Sequence, residues 1–226
     1  WDSNAGFTPI GNSSTRFTGS YNGDGHTISN LFIDRPNTNY IGLFGRIGVD
    51  ANSATTIQNL GLTNVSITGN SEVGALVGFK RPGMLTVSNC YSTGSVTGTN
   101  SNAGGLVGYL RDGVALNNCY STCSVIGSGG SVGGLAGFVR SQSNVVNCYS
   151  TGSVTGTNSN VGGLVGKLHL STTSVSNCYS TGSVTGSSDS VGGLVGLTTN
   201  GATASNSFWD TQTSGQSSSA AGTGKT

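Results

Sequence analysis

"NCYSTGSVTG", Asn89–Gly98, recurs unchanged at Asn147–Gly156 and at Asn177–Gly186. A fourth copy, Asn118–Gly127, differs in carrying Cys123 for Gly and Ile126 for Thr. Alternate residues of the string fall into two sets. Cys, Ser, Gly, Val and Gly are small or apolar; Tyr, Thr, Ser and Thr carry hydroxyls. A β-strand sends successive side chains to opposite faces, so the first set is expected inward and the second outward.

The cysteines of the four copies, Cys90, Cys119, Cys148 and Cys178, lie 29, 29 and 30 residues apart. The same period extends outward to Asn59-Leu60, Asn30-Leu31 and Asn206-Ser207. A second column shares it: Gly42-Leu43-Phe44-Gly45, Ala75-Leu76-Val77-Gly78, Gly105-Leu106-Val107-Gly108, Gly134-Leu135-Ala136-Gly137, Gly163-Leu164-Val165-Gly166 and Gly193-Leu194-Val195-Gly196. Two columns at one period mean a repeat architecture. Helix is a poor reading, because each unit carries several of the chain's 39 Gly, each costing about 1 kcal/mol against Ala in a helix interior. The expected fold is all-β: a parallel β-solenoid of seven coils, stacked at the strand spacing of about 4.8 Å into a rod about 34 Å long. Residues 1–29 read as an opening and capping segment, 30–210 as the solenoid, and 211–226 as a Ser/Gly/Thr-rich tail or linker.

The Gly-Leu-x-Gly column, fullest as Val-Gly-Gly-Leu-Val-Gly, resembles the GLUG motif. Phe17–Ile28 is similar to the opening segment of GLUG arrays, and Asn206–Asp210 to their closing segment. The resemblance covers nearly the whole chain. It implies a bacterial secreted or cell-surface solenoid of the kind found in adhesin-like proteins, and in some immunoglobulin A peptidases outside their catalytic domains. It brings no catalytic group with it.

Composition narrows the remaining chemistry. A net charge of +1 in 226 residues gives no strong field for nucleic acid or an anionic membrane. No apolar run reaches the roughly 18–20 residues of a membrane span, no signal peptide is visible, and the opening at Trp1 in mid-pattern reads as a mature or excised piece of a longer product. Eight Asp and Glu are scattered without forming a column, and the two His, His26 and His169, sit in unlike units. No cofactor, metal or catalytic residue is therefore expected, and the chain reads as a non-enzyme. Gly222–Thr226 imitates the end of a phosphate-binding loop, but Ser219 stands where that motif needs Gly. Five Cys is an odd count. Stacked Cα atoms would lie within disulfide range, yet parallel Cβ vectors suit disulfide torsions poorly, and a straight ladder does not converge as a zinc site must. A reduced, buried packing ladder is the favoured reading, with one disulfide as the alternative.

Three surfaces are candidates for function. The hydroxyl columns Thr93, Thr122, Thr151, Thr181 and Ser95, Ser124, Ser153, Ser183, flanked by Tyr91, Tyr120, Tyr149 and Tyr179, form a flat array suited to ice, to O-glycosylation or to packing on another rod. A basic edge of Arg46, Lys80, Arg81, Arg111, Arg140 and Lys167 could hold an anionic glycan; its plainer reading is solubility and protection against lateral pairing. The rod ends, closed by Trp1 and Phe7 at one end and by Phe208 and Trp209 at the other, would join copies end to end if left incompletely covered. The expected role is a stalk, adhesin module or fibre subunit. Its partners would be copies of itself, other surface components or a glycan. The sequons at Asn12 and Asn64 are weak signals.

Overall fold

The computed structural model describes residues 4–48, 54–80, 83–157 and 159–226. Each turn of chain runs through four short strands, and each strand pairs in parallel with its counterpart one turn on. Four faces result. Face 1 has seven strands, from Tyr21–Asn22 through Met84–Ser88 to Thr203–Ser205. Face 2 carries the repeated string and has twelve, including Gly61–Gly69, Tyr91–Gly98 and the later copies, each split in two. Face 3 has five very short strands, such as Val73–Gly74 and Ala103–Gly104. Face 4 has six: Phe44–Ile47, Val77–Lys80, Val107–Arg111, Ala136–Arg140, Val165–His169 and Val195–Thr199.

The fold is the expected parallel β-solenoid, but the coil number is corrected from seven to about five. Seven units do contribute to face 1, whereas only five contribute to face 3. Among the described residues the first unit adds only the Ile41–Val73 bridge to face 3, and the last unit adds no strand there.

Stacking of like on like explains the sequence columns. Asn59, Asn89, Asn118, Asn147 and Asn177 all adopt left-handed φ near +55°, a conformation Asn tolerates. They turn the chain from face 1 into face 2. Their amides form a ladder: Asn89 Nδ2 donates to Asn59 Oδ1 at 3.0 Å, and the series continues through Asn118, Asn147 and Asn177 at 3.2–3.4 Å. The first unit departs from the sequence reading. Asn22, not Asn30, lies under Asn59 (3.0 Å), and Asn30 lies under Asn64 (2.7 Å). Asn64 is itself a second left-handed corner, placed where the register of Gly61–Gly69 slips by one residue against Tyr91–Gly98. Two corners of identical chemistry made the first register ambiguous.

The interior is a continuous stack of Val, Leu and Ile, with Leu76, Leu106, Leu135, Leu164 and Leu194 of the Gly-Leu-x-Gly column fully buried. The serine of the string spans it: Ser92 Oγ donates to the carbonyl of Gly105 at 2.9 Å, and Ser180 Oγ to that of Gly193 at 2.6 Å. The two sequence columns thus meet across the core.

Both ends are wrapped. At the first, Phe17 and Tyr21 pack on Phe44, with ring centroids 4.7 and 5.6 Å apart, and Phe7 packs against the core. Trp1 lies outside the described residues. At the second, residues 211–226 are folded rather than a loose tail. Asp210 caps a single helical turn, Thr211–Ser214, which ends on left-handed Gly215. Ser219 Oγ accepts from the Leu194 and Val195 amides, and Thr223–Lys225 pairs with Phe208–Asp210. Trp209 is buried beneath, its Nε1 donating to Gln216 O at 3.0 Å, while Phe208 stays exposed. Residues 223–225, the stretch that imitates a phosphate-binding loop, are therefore strand. Pairing at the other end begins with bridges from Gly6, Ile10 and Phe17 and continues in Tyr21–Asn22, all before the boundary read at residue 30.

Candidate functional site

Within face 2 the string's two residue sets separate by burial. Ser92, Ser121, Ser150 and Ser180 are buried, and the hydroxyl columns are exposed or half-exposed. Ser66, Ser95 and Ser124 stack in register, and Ser124 Oγ lies 3.0 Å from Ser153 Oγ. In the next column Thr68, Thr97, Ile126, Thr155 and Thr185 follow one another, so the exposed Ile126 breaks the run of hydroxyls. Thr93 is partly engaged, since its Oγ1 accepts the Asn64 amide at 2.9 Å. Tyr91, Tyr120, Tyr149 and Tyr179 form a parallel pile, with centroids 4.7–4.9 Å apart and planes within 4°. Their ring faces are spent on one another, and their edges meet solvent.

The structure places Cys90, Cys119, Cys148 and Cys178 in the core as free thiols. Each thiol donates to the carbonyl two residues back, at 3.1–3.3 Å. Cys148 and Cys178 also accept the amide of the preceding Cys, at 3.4 and 3.3 Å. Ser207 takes the same place in the last unit, its hydroxyl accepting from Cys178 N. A small group that both donates and accepts is what the position requires. Burial pushes the Cys119 and Cys123 thiols up, which keeps them protonated. Among the described residues no group of three His, Cys, Asp or Glu is placed to hold a metal ion.

The basic residues resolve into three columns of face 4. Arg46, Phe79, Tyr109, Phe138, Lys167 and Leu197 stack in one outward column. Arg111, Arg140, His169 and Thr199 stack in the next. Lys80 belongs to neither. It occupies the inward column of Ile47, Leu110, Val139 and Leu168 and is fully buried, its ammonium donating to the carbonyls of Gly83, Asp112 and, at 3.0 Å, Arg111. Burial lowers its pKa to about 8, with Asp112 opposing. Arg81 lies outside the described residues. The ragged spacing of the basic series reflects these separate columns. The inward turn of Lys80 was discoverable from one signal, its position two residues after Gly78, where the next three units place Leu110, Val139 and Leu168.

On the outward columns the cations rest on rings. The Arg46 guanidinium lies 5.2 Å from the Tyr40 centroid and 5.5 Å from that of Phe79, and Lys167 Nζ lies 5.4 Å from that of Phe138. Arg111 pairs with Asp112 at 3.1 Å. His169, with Nδ1 2.7 Å from Thr199 Oγ1, has its pKa lowered by burial and then by Arg140 and Lys167. Its imidazole is expected to titrate below the free value of about 6.5, and Arg140→Gln is expected to raise that midpoint, as read by proton NMR. An unchanged midpoint would mean that Arg140 does not act on the ring. As pH falls through the free value the unfolded chain takes up a proton first, so stability declines until the folded ring is also protonated.

The GLUG motif profile matches residues 128–155 and 157–185. Residues 128–185 carry two tandem GLUG repeats. Halomucin of Haloquadratum walsbyi is 46% identical over 99 residues, 43% of this chain and 1% of halomucin. A protein of Evansella cellulosilytica described as a Gly-rich membrane protein is 45% identical over 76 residues, 32% of this chain and 8% of that protein. The GLUG chain thus spans a small fraction of these relatives. Among solved structures, a Bacteroides ovatus protein described as an immunoglobulin A1 protease superposes with a TM-score of 0.76 over 97% of this chain and 73% of its own. At 23% identity that likeness shows a common fold for the GLUG rod and nothing of its activity.

Proposed function

We propose that this chain is a rigid, non-catalytic segment of a secreted or cell-surface protein: a stalk or spacer in an adhesive or protective surface layer. The observation that carries this reading is the continuity of the stack. Parallel strands join unit to unit on all four faces, and asparagine, thiol and tyrosine ladders run along it. A solenoid of this kind resists bending because each coil is bonded along its perimeter to the next, and its stability sums over coils and interfaces. Halomucin and the Gly-rich membrane protein support the setting by their names, and the small share of each that is matched fits a segment within a long chain.

The wrapped ends favour a spacer over a self-assembling fibre. Electron microscopy across a concentration series is expected to show separate short rods throughout. Filaments lengthening with concentration would overturn the spacer reading and make the coil ends the working surface.

A further inference from the structure

We propose that face 4 binds a linear acidic polysaccharide, held by Arg46, Arg111, Arg140 and Lys167. The first argument is segregation of charge. The protein is nearly neutral, with nine Lys and Arg against eight Asp and Glu. Five of the nine cations lie in the six strands of this face, four of them in its outward columns, and no Asp or Glu falls within those strands. The neighbouring Asp112 pairs with Arg111 and also acts on the buried Lys80.

The second argument is order. Arg46 and Lys167 are propped on Tyr40, Phe79 and Phe138, and all four cations are half-buried. Side chains already held lose less entropy when a ligand arrives. Arg111 and Arg140 are register partners, two guanidinium groups borne about 4.8 Å apart along the rod. Asp112 already pairs with Arg111 on one side. A carboxylate or sulfate laid beside the two forks accepts paired hydrogen bonds from them.

The third argument selects the kind of polyanion. From Arg46 to Lys167 the outward column runs four steps, about 19 Å, so the cations form a narrow track for an extended chain. Single-stranded nucleic acid needs open ring faces for its bases. Here Tyr109 and Phe138 stack on each other at 4.8 Å and 4°, leaving edges. An anionic bilayer favours projecting apolar anchors, and among the described residues the exposed large apolar side chains Phe32, Met84, Ile126, Tyr179 and Phe208 lie off this face, with Ile10 alone bridged to Phe44 at its first end. Sugar rings need neither feature. This inference is independent of the spacer reading, because the face is the same in a lone rod or a filament.

The test is titration of the full chain with polygalacturonate, with neutral dextran, a single-stranded DNA of matched charge and anionic phosphatidylserine vesicles as comparisons. Binding to polygalacturonate is expected, weakening with salt, and falling about ten-fold in Arg140→Gln/Lys167→Gln. Lys225→Gln, a cation beside Phe208 on face 2, is expected to leave it unchanged. Thermal melts of each variant confirm that the fold is kept. Absence of binding at low salt, equal loss in Lys225→Gln, or DNA or vesicle binding as tight as that of polygalacturonate would each overturn the proposal.

Discussion

Gly133→Ala is expected to destabilise the rod by about 3 kcal/mol or more, lowering Tm on the order of 10 °C. A Cβ at this position would lie 2.1 Å from the Ala136 carbonyl oxygen, 2.7 Å from the Gly166 amide and 2.9 Å from the Leu164 carbonyl. All three are backbone atoms, and two belong to the next coil. Relief therefore requires moving a strand that is itself bonded on both sides. The same column is Gly in five successive units, at 74, 104, 133, 162 and 192. The adjacent column tolerates Ala75 in place of Gly, so small size alone is not the rule. Gly25→Ala is the control: its Cβ would meet nothing within 4 Å, and only its φ of +78° is unfavourable. That substitution is expected to cost about 1 kcal/mol. Equal costs at the two sites would show that coil spacing is looser than the close approach at Gly133 implies.

Lys80→Ala carries the second large effect, a loss of about 3 kcal/mol. The change empties a core position and orphans the carbonyls of Gly83, Arg111 and Asp112, which tie the corner after one face 4 strand to the corner after the next. Lys80→Met keeps most of the side-chain volume and removes only the donors; about 2 kcal/mol is expected there. Two effects oppose at this site: burying an ammonium is itself costly, which its lowered pKa reflects, and three carbonyls accept its hydrogen bonds. The pH dependence separates them. With its pKa at about 8 in the folded chain, against 10.5 ordinarily, Lys80 loses its proton on folding between those values. The wild type should therefore gain stability relative to Lys80→Met as pH rises from about 8 to 10.5. Denaturant melts at several pH values measure the gap. A Met variant as stable as the wild type at pH 7 would show that the carbonyl cage contributes no net stability.

Much of the architecture was legible because a solenoid stacks each residue on its own repeat. Cys90, Cys119, Cys148 and Cys178 share a column only if the strands are parallel and in register, so the 29–30-residue period already implied the parallel sheet. Alternation within "NCYSTGSVTG" separated the buried Val96 from the exposed Ser95 without any knowledge of the third dimension. The Asn before each Cys marked a corner because few other residues accept a left-handed φ.

The remainder depended on contacts between units unlike one another, where a period carries no information. Asn30 and Asn22 both precede a turn, and only the pairing of Thr27–Ser29 with Gly61–Thr63 decided which lies under Asn59. Seven units were countable, yet turn closure required a face 3 strand that the terminal units lack among the described residues. Residues 211–226 have the composition of a linker, but Asp210, Gly215 and Ser219 meet the unpaired amides of the last coil and fold the segment over it. Lys80 is a surface residue by type, and its burial is set by three carbonyls brought together from two successive corners. The sequence by itself determined the period, the strand direction and the identity of the stacked columns, because these follow from local alternation repeated at fixed spacing. Tertiary structure alone decided the register of the first unit, the closure of the ends and the separation of the cations into one buried and two exposed columns, because those depend on which backbone groups of neighbouring units are left to be satisfied.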